Sequence, residues 1–428
     1  MEESDLFGFE SKQEFLEKSS RFWNPDKTQF WQDAGVDLVI DRREGYFLWD
    51  LDGRRLIDAH LNGGTYNLGH RNPEVVQAVK AAMDRFDMGN HHFPSLGRTA
   101  LAEQLIETAP EPLTRVAYAS GGGEAIDIAL KSARHATQRR KIVSIVKAYH
   151  GHTGLAVATG DDRFSKLFLS DREDEFPHVP FNDLAAMEQA LSGRDVAAVI
   201  METIPATYGF PLPEPGYLEA VKALCEQYGT LYIADEVQTG LMRTGELWGI
   251  TKHGIEPDIL VTGKGISGGM YPIAAVLLSD RAGAWLTEDG FGHISTFGGA
   301  ELGCVAALKT LEICTRPEVR SMVHYISDQV GTRLAQVQAQ HPSWFTGIRQ
   351  NGVVLGLEFN HPEGAKYVMR ELYQLGVWAI FSTLDPRVLQ FKPGILLSAD
   401  LCDELLDRTA LAIARAEQSA MAGTRRAS

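Results

Sequence analysis

The sequence predicts an α/β protein: a large domain built on a doubly wound, mostly parallel sheet, with a smaller α+β domain beside it. Two observations carry this. From about Pro73 to residue 310, short β-branched runs alternate with amphipathic helical stretches, the pattern of parallel strands joined by helical crossovers. Beyond residue 310 the texture changes to amphipathic helices with a few isolated strands. The expected organisation is an N-terminal segment, 1–72, that joins the small domain; a large domain, 73–310; and a C-terminal small domain, 311–428.

In chain order, "GYFLWDLDGRRLID" alternates apolar and polar residues around Asp52-Gly53 and reads as a β-hairpin. "RVAYAS" is a strand leading into the helical "EAIDIALKSARHA", and "KIVSIVKAY" is a strand followed by a loop. "VAAVIMETI" precedes the helix "GYLEAVKALCEQYG"; the strands "LYIADEV", "DILVTGK" and "IAAVLLSD" follow. In the C-terminal part "GVVLGLEF" is a strand, and a helix from about Ser398 through "DELLDRTALAIARAE" closes the chain. Ligands of a doubly wound sheet sit beyond the carboxyl ends of its strands, so functional side chains are expected directly after strands.

At 428 residues the chain can bury a large core and divide into more than one domain. Its formal net charge of −15 argues against nucleic acid or an anionic membrane as the main partner. No apolar run approaches the roughly 18 residues of a membrane span. The opening "MEESDLFGFESKQEF" lacks the basic and apolar regions of a signal peptide, so the expected location is the cytoplasm. The four cysteines are scattered with no CxxC pair, which favours reduced thiols over a disulfide or zinc frame.

Several strand ends carry unusual residues. "YASGGGEAIDIAL" places Gly121, Gly122 and Gly123 between a strand and a helix. Backbone amides there can cradle a phosphate, although glycines also simply make a turn. "LYIADEVQTG" ends its strand on Asp235, a carboxylate that can cap the next element, pair with a base or ligate a metal. "KAYHGHTG" puts Tyr149, His150 and His152 after another strand, with no further His/Glu set at metal-ligand spacing. "PDILVTGKGISGG" delivers Lys264 from an apolar strand into a glycine-rich turn, where an ammonium is costly to bury unless paired or neutralised. A phosphate cradle, a strand-end carboxylate, an aromatic ring and a strand-end lysine at one sheet edge are the set that pyridoxal 5'-phosphate (PLP) requires.

The residues around these positions resemble the class III (ω-) aminotransferase family of fold-type I PLP enzymes, over nearly the whole chain. "DEVQTGLMRTGELWG" followed by "PDILVTGKGISGGMYPIAAVLLSD" is close to that family's signature block; "STFGGAELGCVAAL" and "LGHRNPEVVQAV" resemble two others. The resemblance implies that Lys264 is the Schiff-base lysine and Asp235 the partner of the pyridine nitrogen. It implies that Tyr149 and Val237 cover the two faces of the ring, and that Gln238 reaches the phenolic oxygen. His150 is grouped with these cofactor residues, and Gly122 and Gly123 supply amides to the phosphate. Thr296 is implied to bind that phosphate from the neighbouring subunit, hence a homodimer with shared active sites. No metal is expected.

Two departures from the family bear on the substrate. The arginine that grips an α-carboxylate in many members aligns with Gln390 in "VLQFKPGILL". The segment "ETIPATYGF" keeps Glu202 but has Thr207 where those members have a second glutamate. Losing both partners leaves no orphan charge, as expected of a pocket rebuilt away from simple α-carboxylate recognition. Tyr208, in the altered loop, is the leading pocket aromatic among Phe22, Trp23, Trp31, Tyr66, Phe93, Tyr208 and Phe210. Arg387 is the candidate to replace a mobile carboxylate-binding arginine. The expected activity is transfer of an amino group between a primary amine or ω-amino compound and a keto acid or aldehyde, by ping-pong kinetics. Same-fold racemases or epimerases, aminomutases and decarboxylases use the same lysine and aspartate and stay open; a non-catalytic PLP-binding protein is the remaining alternative.

Overall fold

In the computed structural model, which describes residues 8–9, 11–89 and 92–427, the early hairpin forms. Strands β1 (Ile40–Glu44), β2 (Phe47–Asp50) and β3 (Arg55–Asp58) make an antiparallel ribbon. The two-residue strand Val377–Trp378 adds to β3 in parallel. The N-terminal segment is thereby stitched to a part of the chain more than 300 residues away.

The large sheet has seven strands: β4 (Leu113–Ala119), β5 (Lys141–Ile145), β6 (His178–Val179), β7 (Val196–Glu202), β8 (Leu231–Asp235), β9 (Ile259–Thr262) and β10 (Ala274–Ser279). Their spatial order is β4-β10-β9-β8-β7-β5-β6. The pairs β6/β5, β5/β7, β7/β8 and β8/β9 are parallel. Strand β10, read from "IAAVLLSD", runs antiparallel to both of its neighbours. The reason is local: only a 3-10 turn, Lys264–Ser267, lies between β9 and β10. A parallel return needs a crossover of a dozen or more residues, usually a helix. Because β10 reverses twice, β4 and β9 still point the same way. The carboxyl ends of β4, β5, β7, β8 and β9 therefore meet at one edge.

Both faces of this sheet are covered, so its central strands are buried throughout. Alternate residues serve opposite layers. Ile259 and Val261 pack with Ile126, Ala129 and Leu130 of the helix Gly122–Thr137, whereas Leu260 faces the other core. Each such fully buried side chain contributes roughly 1.5–3 kcal/mol of transfer free energy.

The C-terminal part begins with the helix Pro317–Gln340. Strands β11 (Phe345–Asn351), β12 (Val354–Phe359), β14 (Ile380–Ser382) and β15 (Asp385–Phe391) form an antiparallel sheet in the order β11-β12-β15-β14; β13 is the Val377–Trp378 strand already described. The closing helix runs from Ala399 to Ala427. All four cysteines are free and buried. Among the described residues no helix is long and apolar enough to cross a membrane.

Candidate active site

The strand ends converge on a cavity of about 200 Å³. Strand β4 leads to Gly122 and Gly123, β5 to Tyr149, His150 and Gly151, β7 to Glu202, β8 to Asp235, Val237 and Gln238, and β9 to Lys264; all of these line it. An adjoining cavity of about 310 Å³ shares Gly122 and Lys264 and is bounded by Tyr66, Met270 and Tyr271.

Lys264 sits where the backbone leaves β9, with a left-handed φ of +44°. Among the described residues no carboxylate lies within ion-pair distance of its ammonium. Burial lowers its pKa below the ordinary lysine value, against the opposing pull of Asp235 and Glu202. The side chain thus favours the neutral, nucleophilic amine more than an exposed lysine would. Gly63 lies directly against it: a Cβ there would fall 3.0 Å from Lys264 Cε, and Gly63 itself has a φ of +70°.

Asp235 is buried at the end of β8. Its Oδ2 is 2.7 Å from Nδ1 of the equally buried His150, and its Oδ1 accepts from the Val237 amide at 3.0 Å. Glu202 accepts from the amides of Tyr149 at 3.2 Å and Ala206 at 3.3 Å. Burial holds its carboxyl above the usual range; the nearby His150 opposes this and the Asp235 charge reinforces it. Gly122 opens the 16-residue helix Gly122–Thr137, which carries no side-chain cap at its N-terminus. Its first amides therefore need an external acceptor. Gly151 presses on this turn with a φ of +114°, and a Cβ on it would come 2.8 Å from Gly123 Cα.

Two further polar atoms at the cavity are buried without a hydrogen-bond partner among the described residues: His150 Nε2 and Gln238 Nε2. An unclaimed amide donor and an unclaimed ring nitrogen beside an uncapped helix end, an amine with no carboxylate in ion-pair distance among the described residues, and a carboxylate fixed by histidine form a specific set of polar groups. It matches a planar heteroaromatic ring bearing an aldehyde, a phenolic oxygen and a phosphate, so these residues fit PLP. Among the described residues no group of three or more His, Cys, Asp or Glu side chains is placed to hold a metal ion.

Other residues singled out in the sequence lie elsewhere. Thr296 is exposed, and is not among the residues lining the cavity. Thr207 and Tyr208 are half-buried in the loop after β7, where Lys147 Nζ lies 4.8 Å from the centre of the Tyr208 ring. Gln390 is buried on β15 and accepts from Lys392 Nζ at 2.5 Å. Arg387 is half exposed, donates to both oxygens of Asp385 at 2.9 Å and lies 3.3 Å from Glu358. Of the aromatics, Tyr66 borders the adjoining cavity, Phe22, Trp23 and Phe93 are exposed, Phe210 is buried, and Trp31 packs on Trp378. Gly63 and Gly151 were not singled out in the sequence, although Gly151 stands between two histidines that were.

Comparison with known proteins agrees with this fold. An ornithine aminotransferase from Toxoplasma gondii, whose structure is described with partial occupancy of PLP at the active site, superposes with a TM-score of 0.87 at 24% identity, covering 96% of each chain. A transaminase from the marine bacterium Virgibacillus superposes with a TM-score of 0.87 at 25% identity, over 95% of this chain and 99% of that one. Fold and site together define a fold-type I, PLP-dependent enzyme. A protein from Archaeoglobus fulgidus described as an uncharacterized aminotransferase is 42% identical over 411 residues, 96% of each chain. The family model "Aminotransferase class-III" matches residues 31–413, and the chain belongs to that family.

Proposed function

We propose that this aminotransferase moves an amino group between a primary amine or ω-amino compound and a keto acid or aldehyde, in two half-reactions sharing one pocket. The observation that carries the proposal is Lys264: a buried strand-end amine with no carboxylate in ion-pair distance among the described residues, near the Asp235–His150 pair. The amides of Gly122 and Gly123 would hold the phosphate, Gln238 Nε2 the phenolic oxygen, and Tyr149 and Val237 the two ring faces. When bound, PLP supplies an electron sink for the pair left behind as a substrate carbon loses its proton. Lys264 Nζ, its proton affinity lowered by burial, would hold the cofactor and serve as the base for that proton. Asp235, its two oxygens held by His150 Nδ1 and the Val237 amide, would pair with the ring nitrogen. Gln390 and Thr207 support an amine without an α-carboxylate, because neither offers the charge that would grip one.

The site is proposed to be completed by a second copy of the chain. Thr296 lies on an exposed loop with Phe291, Ile294 and Phe297, apolar side chains more than half exposed in the single chain. Such a patch is suited to burial at an interface, which would bring Thr296 to the partner's phosphate.

The test is a half-reaction screen. Amines, diamines and amino acids, with ornithine and N-acetylornithine included because structural neighbours are named for them, are added to the yellow holoenzyme without acceptor. Conversion to the pyridoxamine form by an amine supports transamination. If nothing in a broad panel converts it, the proposal fails; release of carbon dioxide, or inversion without a keto product, would move the chain to the decarboxylase or racemase class.

A further inference from the structure

Glu124 stands between two parts of the molecule that the proposed site needs together. It is half-buried in the first turn of the helix Gly122–Thr137, and its two carboxylate oxygens serve different partners. Oε2 accepts from the Ser120 amide at 2.8 Å and from the Ser120 hydroxyl at 2.6 Å. It thereby closes the glycine turn that borders both cavities. Oε1 lies 3.8 Å from Nε2 of His293, on the loop that carries Thr296. Burial alone would raise this carboxyl. Hydrogen bonds from the Ser120 and Ser295 hydroxyls and from the Ser120 amide, with His293 nearby, hold it below the ordinary value instead.

The loop is arranged to meet it. Ser295 Oγ accepts from the Gly298 amide at 2.9 Å, which closes a short turn around Thr296. His293 Nδ1 lies 2.9 Å from Lys131 Nζ, on the same helix as Glu124. An ammonium only donates, so Nδ1 accepts and the ring proton sits on Nε2. That N–H is buried with no hydrogen-bond partner among the described residues. Glu124 Oε1 is the carboxylate oxygen within ion-pair distance of it, at a separation too long for a hydrogen bond. A buried donor left unpaired is unfavourable, so closing this gap stabilises the ordered loop.

Resting on the shared-site reading above, we propose that Glu124 is a positioning residue that couples the two cofactor sites of a dimer. Phosphate held on the Gly122 and Gly123 amides fixes the turn from Ser120 to Glu124. The carboxylate, anchored through Oε2, then presents Oε1 to His293 and steadies the loop. Thr296 of that loop serves the neighbouring subunit's phosphate. Occupancy of one site thus orders a loop that the other site needs, and the second site binds more tightly than the first.

The test titrates PLP into the full chain stripped of cofactor, at a concentration where sedimentation shows only dimer, and follows the absorbance of bound cofactor. In the unaltered chain the second PLP should bind about fivefold or more tighter than the first, a Hill coefficient of about 1.4 or more. Glu124→Gln keeps an acceptor for Ser120 but removes the charge facing His293. Its first-site affinity should stay within about threefold, because the hydrogen bonds to Ser120 persist, while the isotherm becomes hyperbolic. His293→Leu, altered on the loop side alone, should also give a hyperbolic isotherm. A merely structural role for Glu124 would weaken both sites equally and leave the shape of the curve unchanged. That outcome, a hyperbolic isotherm in the unaltered dimer, or full cooperativity in either variant would overturn the proposal. Failure of the shared-site reading, which would remove the proposal with it, has a different signature: Thr296→Ala would bind PLP just as the unaltered dimer does.

Discussion

Lys264 adopts a φ of +44°, a conformation that non-glycine residues enter at a cost of about 1 kcal/mol or more. The strain persists because β9 on one side and Ser267 Oγ, which donates to the Lys264 carbonyl at 2.7 Å, on the other fix the turn. Its neighbour Asp235 is proposed to partner the ring nitrogen, and the consequence is testable. Asp235→Asn keeps the shape but replaces the carboxylate proposed for that role. The holoenzyme should still form, while the amine half-reaction slows by about a hundredfold to ten-thousandfold, read as the rate of the absorbance change. A variant within a few-fold of the unaltered rate would refute the assigned role of Asp235.

The turns after the strands impose a second layer of control. Gly151 and Gly121 both border the turn proposed to hold the phosphate, yet only Gly151 has φ in the left-handed region and a crowded Cβ position; a Cβ on Gly121 meets nothing within 4 Å. Gly151→Ala should therefore lower PLP affinity by about tenfold or more through displacement of Gly123, while Gly121→Ala stays near the unaltered value, as equilibrium titration of cofactor will show. Glu236, just past β8, binds two elements together. It accepts from the Gly249 amide at 2.7 Å, the Ile250 amide at 2.9 Å and the Thr203 hydroxyl. Burial pushes its carboxyl up to about 7 from an ordinary 4.5, despite these donors. The folded chain then binds more protons than the unfolded chain between those values, so this group's contribution to stability falls as pH rises through the window and is flat outside it. Glu236→Gln should abolish that slope and, by leaving a backbone donor without its acceptor, lower stability by about 1–3 kcal/mol. In denaturant titrations the stability gap between the two proteins should narrow as pH rises from 4.5 to 7. A widening gap would show that the hydrogen bonds outweigh burial.

At the scale of the whole molecule, the proposed homodimer makes cofactor retention depend on protein concentration. Dilution that separates subunits should release PLP, and Thr296→Ala should weaken retention in the dimer by about tenfold, the loss of one hydrogen bond to a charged group. Sedimentation at matched concentrations checks the assembly, and retention indifferent to both dilution and substitution would remove the shared-site proposal. Much of the large sheet was legible in advance, because β-branched runs and their bounding glycines are local signals. So were the residues at the strand ends, since a parallel sheet collects its carboxyl termini at one edge. The antiparallel course of β10 was not, although the short span from Lys264 to Ile273 contained the reason. Gly63 escaped notice because its contact with Lys264 joins segments two hundred residues apart. The sequence alone determined which elements form and which chemistry stands at their ends, because periodicity and turn residues act over a few neighbours. Only the tertiary structure decided which charges are neutralised. It ties Arg387 to Asp385 and Glu358 and leaves Lys392 buried beside an amide, because a charge's partners come from whichever distant strands the fold lays against it.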